Sequence, residues 1–239
     1  VRVLYNNLVE SAEDLAMTNL DSNSTPEYLY DPYIELACFC TASASVITGN
    51  WIDAMTVDSM AIGYHNADFA RLILRDLAGD ELFNQELALE AADSIYYISS
   101  VQGAYSFEVQ LSGGEPIYIG FLSFGEYLEL PRFTTGWKAP LVVNSIASKS
   151  LGGQVSGVFA RHLRGAEVTL PRITNDKLDE IVEYVAAVQT CKPHMVDLYP
   201  EAHDKVPARY AHITEVGEPV KRDESGFYWN MSITYEEAR

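Results

Sequence analysis

The residues best equipped for metal or acid-base chemistry crowd one short segment: His194, Asp197, Glu201, His203 and Asp204. Imidazoles and carboxylates bind a divalent ion when their spacing brings them to one helix face or one turn. Here the spacing matches no such pattern and Pro200 interrupts it, so a solvated loop without metal or cofactor is the expectation. Cys38 and Cys40 stand two apart, as on one face of a strand, and read as small buried side chains. Cys191 falls at the end of a predicted helix, where the dipole disfavours a thiolate nucleophile. The chain has no Gly-x-Ser-x-Gly elbow, P-loop or dinucleotide fingerprint, and its many acids single out no carboxylate pair for glycoside hydrolysis. No catalytic residue is expected, and the chain reads as a non-enzyme.

Aromatic residues are the better sign of binding. Tyr28, Tyr30, Tyr33, Trp51 and Tyr64, the last followed by His65 and Asn66, fall in or beside predicted loops. A ring at a loop offers a flat apolar surface with a polar rim, which suits a sugar, although core filling and subunit contact make the same use of such rings.

Composition narrows the field. At 239 residues and 48% hydrophobic content the chain suffices for one large or two ordinary domains. Its net charge of −18 is uneven: residues 1–130 hold three basic side chains (Arg2, Arg71, Arg75) against twenty acidic ones, whereas 131–239 hold thirteen against fourteen. That break suggests two units, and the acidic one disfavours nucleic-acid recognition. No run approaches the ~20 apolar residues of a membrane helix, and Glu10, Glu13 and Asp14 stand where a signal sequence would be basic then apolar. The expectation is synthesis and folding in a cytoplasm, with no membrane partner. Three cysteines at these spacings offer no disulfide framework.

The elements that must position these residues are mostly strands. Short runs at Phe39–Ser45, Ala54–Gly63, Ala70–Asp76, Ile95–Ser99, Ala104–Leu111 and Ile117–Leu122, with turns at Gly79 and Gly113-Gly114, predict an antiparallel sandwich. Residues 81–92 admit a helix as the alternative. Leu178, Ile181, Val182, Val185 and Val188 recur at helical spacing and predict one amphipathic helix over 175–190, capped by Thr174 or Asn175 and closed by Lys192-Pro193. Its cover is expected from strands in 154–170 and 195–198. Trp229, Met231 and Ile233 alternate with polar residues as a half-buried strand, and the polar stretch 215–225 reads as a mobile loop.

Two resemblances follow. Asn7-Leu8, Trp51-Ile52-Asp53 leading into Val57 to Ile62, Gly63-Tyr64-His65-Asn66, and Phe69 to Leu74 with Arg75-Asp76 and Gly79 resemble the discoidin (F5/8C, galactose-binding-like) jelly roll over residues 1–125. That family uses loops at one end to bind sugars or lipid head groups. Ser150-Leu151-Gly152-Gly153-Gln154, Arg161 to Leu170, the helix, Lys192-Pro193 and the strand ending Glu236-Glu237 are similar to tail-tip proteins of long-tailed bacteriophages, of distal-tail and baseplate type, over 126–239. There the tail-tube fold, a β-sandwich or split barrel with one packed helix, closes homo-oligomeric rings.

The combined expectation is a mainly β protein: a jelly-roll sandwich over 1–125, then a tail-tube-like domain over 126–239. By resemblance it is a structural virion component of a phage tail tip, a ring (a hexamer) joining tail tube, tail hub and tape-measure proteins, with fibres or host glycans as further partners. The alternative is a lectin-like module that binds host surface glycans. Candidate ligand- or partner-binding residues are Tyr28, Tyr30, Trp51, Tyr64, His65 and Asn66.

Overall fold

A computed structural model describes residues 1–31, 36–89, 93–133, 141–149, 155–189, 192–201, 208–222 and 227–238. Strands dominate: β1 (Arg2–Leu4), β2 (Glu13–Met17), β3 (Cys38–Phe39), β4 (Ala44–His65), β5 (Phe69–Arg75), β6 (Glu81–Ala88), β7 (Asp93–Ser112), β8 (Tyr118–Gly125), β9 (Leu128–Glu129), β10 (Leu141–Lys149), β11 (Val155–Ile173), β12 (His194–Asp197), β13 (Arg209–Val216), β14 (Val220–Lys221) and β15 (Trp229–Glu237). One α-helix, α1 (Asn175–Val188), and one short 3-10 helix (Pro26–Leu29) complete the described elements. Among the described residues no helix is long and apolar enough to cross a membrane. The fold is therefore mainly β, with one helix, as its residue pattern implies.

The chain divides into two units. Unit 1 is Val1–Glu129 with His194–Tyr210; unit 2 is Leu130–Pro193 with Ala211–Arg239. The division is discontinuous, unlike the contiguous 1–125 and 126–239 expected. Residues 194–210 return to unit 1 because β12 pairs with β1, Val3 opposite Val196, and β1 pairs in turn with β9.

Unit 1 is built on one long antiparallel ribbon. β4 is 22 residues long and β7 is 20. Ala44 to Asn50 pair with Ser112 to Ser106, and Met55 to Gly63 pair with Ala104 to Asp93, with register shifts between Asn50 and Ser59 where the ribbon bends. Gly103, at φ +78° in that bend, takes a conformation that a side chain would resist. One end of the ribbon carries β5, β6 and β2; the other carries β8 and β3. The result is an antiparallel sandwich whose two layers share strands. Ala70, Leu72, Leu74 and Val109 from one layer and Ile62, Ile119, Leu122 and Phe124 from the other lie in one buried cluster. Phe107 joins the layers at the bend, its ring 5.1 Å from Trp51 and 4.9 Å from Phe124.

Strands β12, β1 and β9 pair in that order, and polar and aromatic contacts fasten this part of unit 1 to the sandwich. The Arg2 guanidinium lies 4.4 Å from the Tyr97 ring centre and 4.6 Å from that of Tyr127. The Tyr97 hydroxyl donates a 2.6 Å hydrogen bond to Asp197, and Tyr210 stacks on Phe121 at 4.2 Å.

In unit 2, β11 pairs with β10 and β15, while β15 also pairs with β13 and β14. The Thr174 hydroxyl caps α1 by accepting from the Lys177 amide. The buried stripe of α1 is Ile181, Tyr184 and Val188; Val182, expected in it, is exposed, because Tyr184 takes the inward place one residue pair further on. Tyr184 meets Tyr235 of β15 hydroxyl to hydroxyl at 3.3 Å, so part of the cover comes from β15. The other expected cover, 195–198, belongs to unit 1. One alternative is not taken, and one local expectation fails. Residues 81–88 form a strand because Glu81 to Ala88 find a ladder along β5, which outweighs their helical propensity. Val220 and Lys221, expected in a loop, pair with Asn230 and Trp229.

Replacing Phe107 by Ala removes the ring that joins both layers, with an expected loss of about 3–5 kcal/mol of unfolding free energy. Urea denaturation followed by tryptophan fluorescence reads this directly, since Trp51 is in ring contact with Phe107. A midpoint unchanged by Phe107→Ala contradicts the shared-layer packing.

Candidate functional site

Tyr64 is the expected binding residue that remains exposed, at 47%, and its surroundings define a site. It is the next-to-last residue of β4, at φ +49°, a left-handed conformation uncommon for an aromatic residue, and its amide donates to Asp93 Oδ1 at 3.3 Å. Its ring lies 5.4 Å from Tyr118 on β8, and Tyr118 lies 6.1 Å from Phe39 on β3. Phe39 is opposite Tyr118 in register and 50% exposed. The three rings form a row across the ends of three neighbouring strands.

The other expected residues have different work. Asn66 clamps the turn beneath the row: its Nδ2 donates to Pro116 O at 2.9 Å and its Oδ1 accepts from the Tyr118 amide at 2.8 Å. His65 is buried. Trp51 is a correction. It is 4% exposed, lies inside β4 rather than in a loop, and donates Nε1–H to Leu8 O at 2.8 Å, which removes the cost of burying its polar edge. Tyr28 and Tyr30, on and just after the 3-10 helix, pack partly against the unit 1 core. Burial, then Glu27, Glu10 and Asp31, pushes the Tyr30 phenol above its ordinary range. Tyr33 lies outside the described residues.

Phe39 and Tyr118 escaped the sequence reading, yet a signal for both was present. Cys38 and Cys40 flank Phe39, Ile117 and Ile119 flank Tyr118, and all four flanking side chains are buried. Where both neighbours point inward, the residue between them faces out.

The expected acidic loop is also partly a strand. His194 and Asp197 are buried in β12, where Asp197 accepts hydrogen bonds from Tyr97 and from the Tyr199 amide, the latter at 3.1 Å. Its carboxylate is used in fastening β12, and so it is not solvated. His203 and Asp204 lie outside the described residues. Among the described residues, no three His, Cys, Asp or Glu side chains cluster as metal ligands. The sulfurs of Cys38 and Cys40 sit in the core, as their spacing implies.

No family model matches the chain, and no curated protein matches it. Among solved structures it is similar to a Streptococcus pneumoniae fucose binding module, at 15% identity and TM-score 0.43 over 52% of this chain and 99% of that one. It is also similar to a Ruminococcus gnavus GH29 fucosidase in complex with fucose, at 14% identity and TM-score 0.45 over 52% of this chain and 27% of that one. A third likeness is to chitosan-binding module 1 of a Paenibacillus sp. IK-5 chitosanase/glucanase, at 9% identity and TM-score 0.43 over 51% and 100%.

Burial, chiefly, pushes the Cys38 thiol up to about 12, and burial raises that of Cys40. A raised folded-state pKa stabilises the fold while the thiol stays protonated, and for Cys38 that contribution is lost as pH rises through about 12. Iodoacetamide at about pH 8.5, where an ordinary thiol is half ionised, should therefore leave Cys38 and Cys40 unmodified in the native chain and label both in denaturant. Peptide mass spectrometry checks this; native labelling of either contradicts the burial.

Proposed function

We propose that unit 1 is a lectin-like module that binds a glycan without acting on it. The observation that carries this reading is the row Phe39, Tyr118, Tyr64. A sugar ring presents C–H groups on its faces and hydroxyls at its rim, so it gains most from adjoining exposed aromatic surfaces held rigid before binding. Strand pairing holds Phe39 and Tyr118, and the Asn66 clamp fixes the turn that presents Tyr118. The left-handed backbone at Tyr64 costs about 1–3 kcal/mol, strain that tends to be kept where a side chain must be aimed at a ligand. No catalytic group is needed, and the row itself has none.

A second reading has its support in unit 2. Val182, Val220, Phe227 and Tyr228 are exposed large apolar side chains there. Such surface suits contact with further copies of the chain, as a tail-tube-like domain in a ring would make, with tail tube, hub and tape-measure proteins as neighbours and the virion tail as location. Mass photometry separates the cases: a defined ring supports assembly, and a monomer at all concentrations opposes it.

For the first reading, a glycan microarray probed with the full chain should show binding to at least one saccharide class. Tyr118→Ala should weaken that binding about tenfold or more, equivalent to about 1.4 kcal/mol, without shifting the thermal midpoint. Equal binding by the variant, or no binding by the wild type, contradicts it.

A further inference from the structure

A cleft of about 290 Å³ lies on the outer face of the β4-β7-β5-β6 layer, on strands that do not carry the Phe39–Tyr118 pair. Strand register builds it. Arg71 stands opposite Glu86 on β6 and Gln110 on β7, and Gln110 stands opposite Val46 on β4. In the adjoining cross-strand row, Phe69 stands opposite Ser112, and Ser112 opposite Ala44. The buried neighbours Ala70, Leu72, Val109, Leu111 and Ile47 point to the core, so these side chains project the other way. Small residues at 44 and 112 leave the space beside Phe69, whose side chain is 46% exposed.

We infer that this cleft is a second saccharide site, one that takes a neutral sugar unit presenting a vicinal diol. The inference goes beyond the aromatic row, because it rests on other residues and on polar groups. Arg71 Nε donates to Asn84 Oδ1 at 2.7 Å, and Asn84 in turn donates to Glu81 at 2.8 Å, which fixes the guanidinium while its two Nη nitrogens keep their protons for a ligand. Arg71 and Glu86 are cross-strand partners but form no ion pair, so the carboxylate remains an acceptor. The Gln110 amide nitrogen is held by Glu108 at 2.6 Å, leaving its oxygen as a second acceptor. Glu108 is itself anchored by Arg75 at 2.9 Å.

A vicinal diol is the ligand that uses this set completely. Each hydroxyl both donates and accepts; the paired Nη–H groups give to two adjacent oxygens, and Glu86 and Gln110 receive the hydroxyl protons. Phe69 lies under the C–H face. An anionic ligand fits poorly, since Arg71 is its one attraction there and Glu86 and Glu108 flank it. Residues 1–130 hold twenty acidic side chains against three basic ones, and Arg2 and Arg75 are already engaged with aromatic rings and carboxylates. The cleft volume, just below the ~300 Å³ lower bound of typical small-molecule sites, suits one or two sugar rings.

The test uses the full chain carrying Tyr118→Ala, so that the aromatic row does not contribute. Affinity electrophoresis against galactomannan, xyloglucan and dextran, with dextran sulfate as the anionic control, should show retardation by at least one neutral polysaccharide. Adding Arg71→Met, or separately Glu86→Gln, should weaken that retardation at least tenfold; the Gln variant keeps the side-chain shape and so guards against misfolding. Retardation unchanged by both substitutions overturns the inference, as does preference for dextran sulfate. Retardation of the wild type but not of Tyr118→Ala overturns the cleft alone and leaves the aromatic row standing. Retardation of neither overturns the cleft, while microarray binding lost on Tyr118→Ala would still carry the row.

Discussion

The bend in the β4/β7 ribbon is the constraint from which unit 1 follows. Strands of 22 and 20 residues are too long to lie in one layer of a small sandwich, so the pair folds across itself and supplies both layers. The cost falls at the bend, where register slips between Asn50 and Ser59 and Gly103 turns left-handed. It is offset by what the bend encloses: Phe107 with Trp51 and Phe124, whose mutual contacts are possible only if the two halves face one another. Burial of this kind is worth roughly 1.5–3 kcal/mol per large apolar side chain. Because inner positions are committed to that core, residues alternating with them are forced outward. The aromatic row and the cleft are both consequences of this alternation.

Alternation at Cys38 and Cys40, the helical stripe from Ile181 to Val188, and the half-buried pattern from Trp229 to Ile233 are local signals, and they lead to the right element types. The long ribbon is not local. Its two long strands read as shorter pieces because turn-type residues, Gly49-Asn50 in β4 and Gly103 in β7, interrupt the apolar pattern. Trp51 misled because loop-like neighbours hid a strand position whose indole finds the Leu8 carbonyl 43 positions away. The return of residues 194–210 to unit 1 depends on pairing with the N-terminal strand, a contact that no window of sequence contains. The cleft was invisible for the same reason: Arg71, Glu86 and Gln110 meet only through register.

Charge gives the site its character. A surface with few basic groups is a poor receiver of nucleic acid or anionic polymer, and the proposed reading gives its rings, backed by fixed donors and acceptors, a neutral, hydroxyl-rich ligand. Rigidity is supplied in advance by strand pairing and by the Asn66 clamp, so little ordering entropy need be paid on contact.

The central claim is that the Phe39, Tyr118, Tyr64 end of the sandwich is where a glycan lands. Backbone hydrogen exchange of the full chain, with and without a saccharide it retains, tests it most directly. The account predicts slowed exchange in peptides covering 36–41, 63–68 and 116–119. Protection confined to unit 2, or no change in those three segments at saturating saccharide, would contradict it.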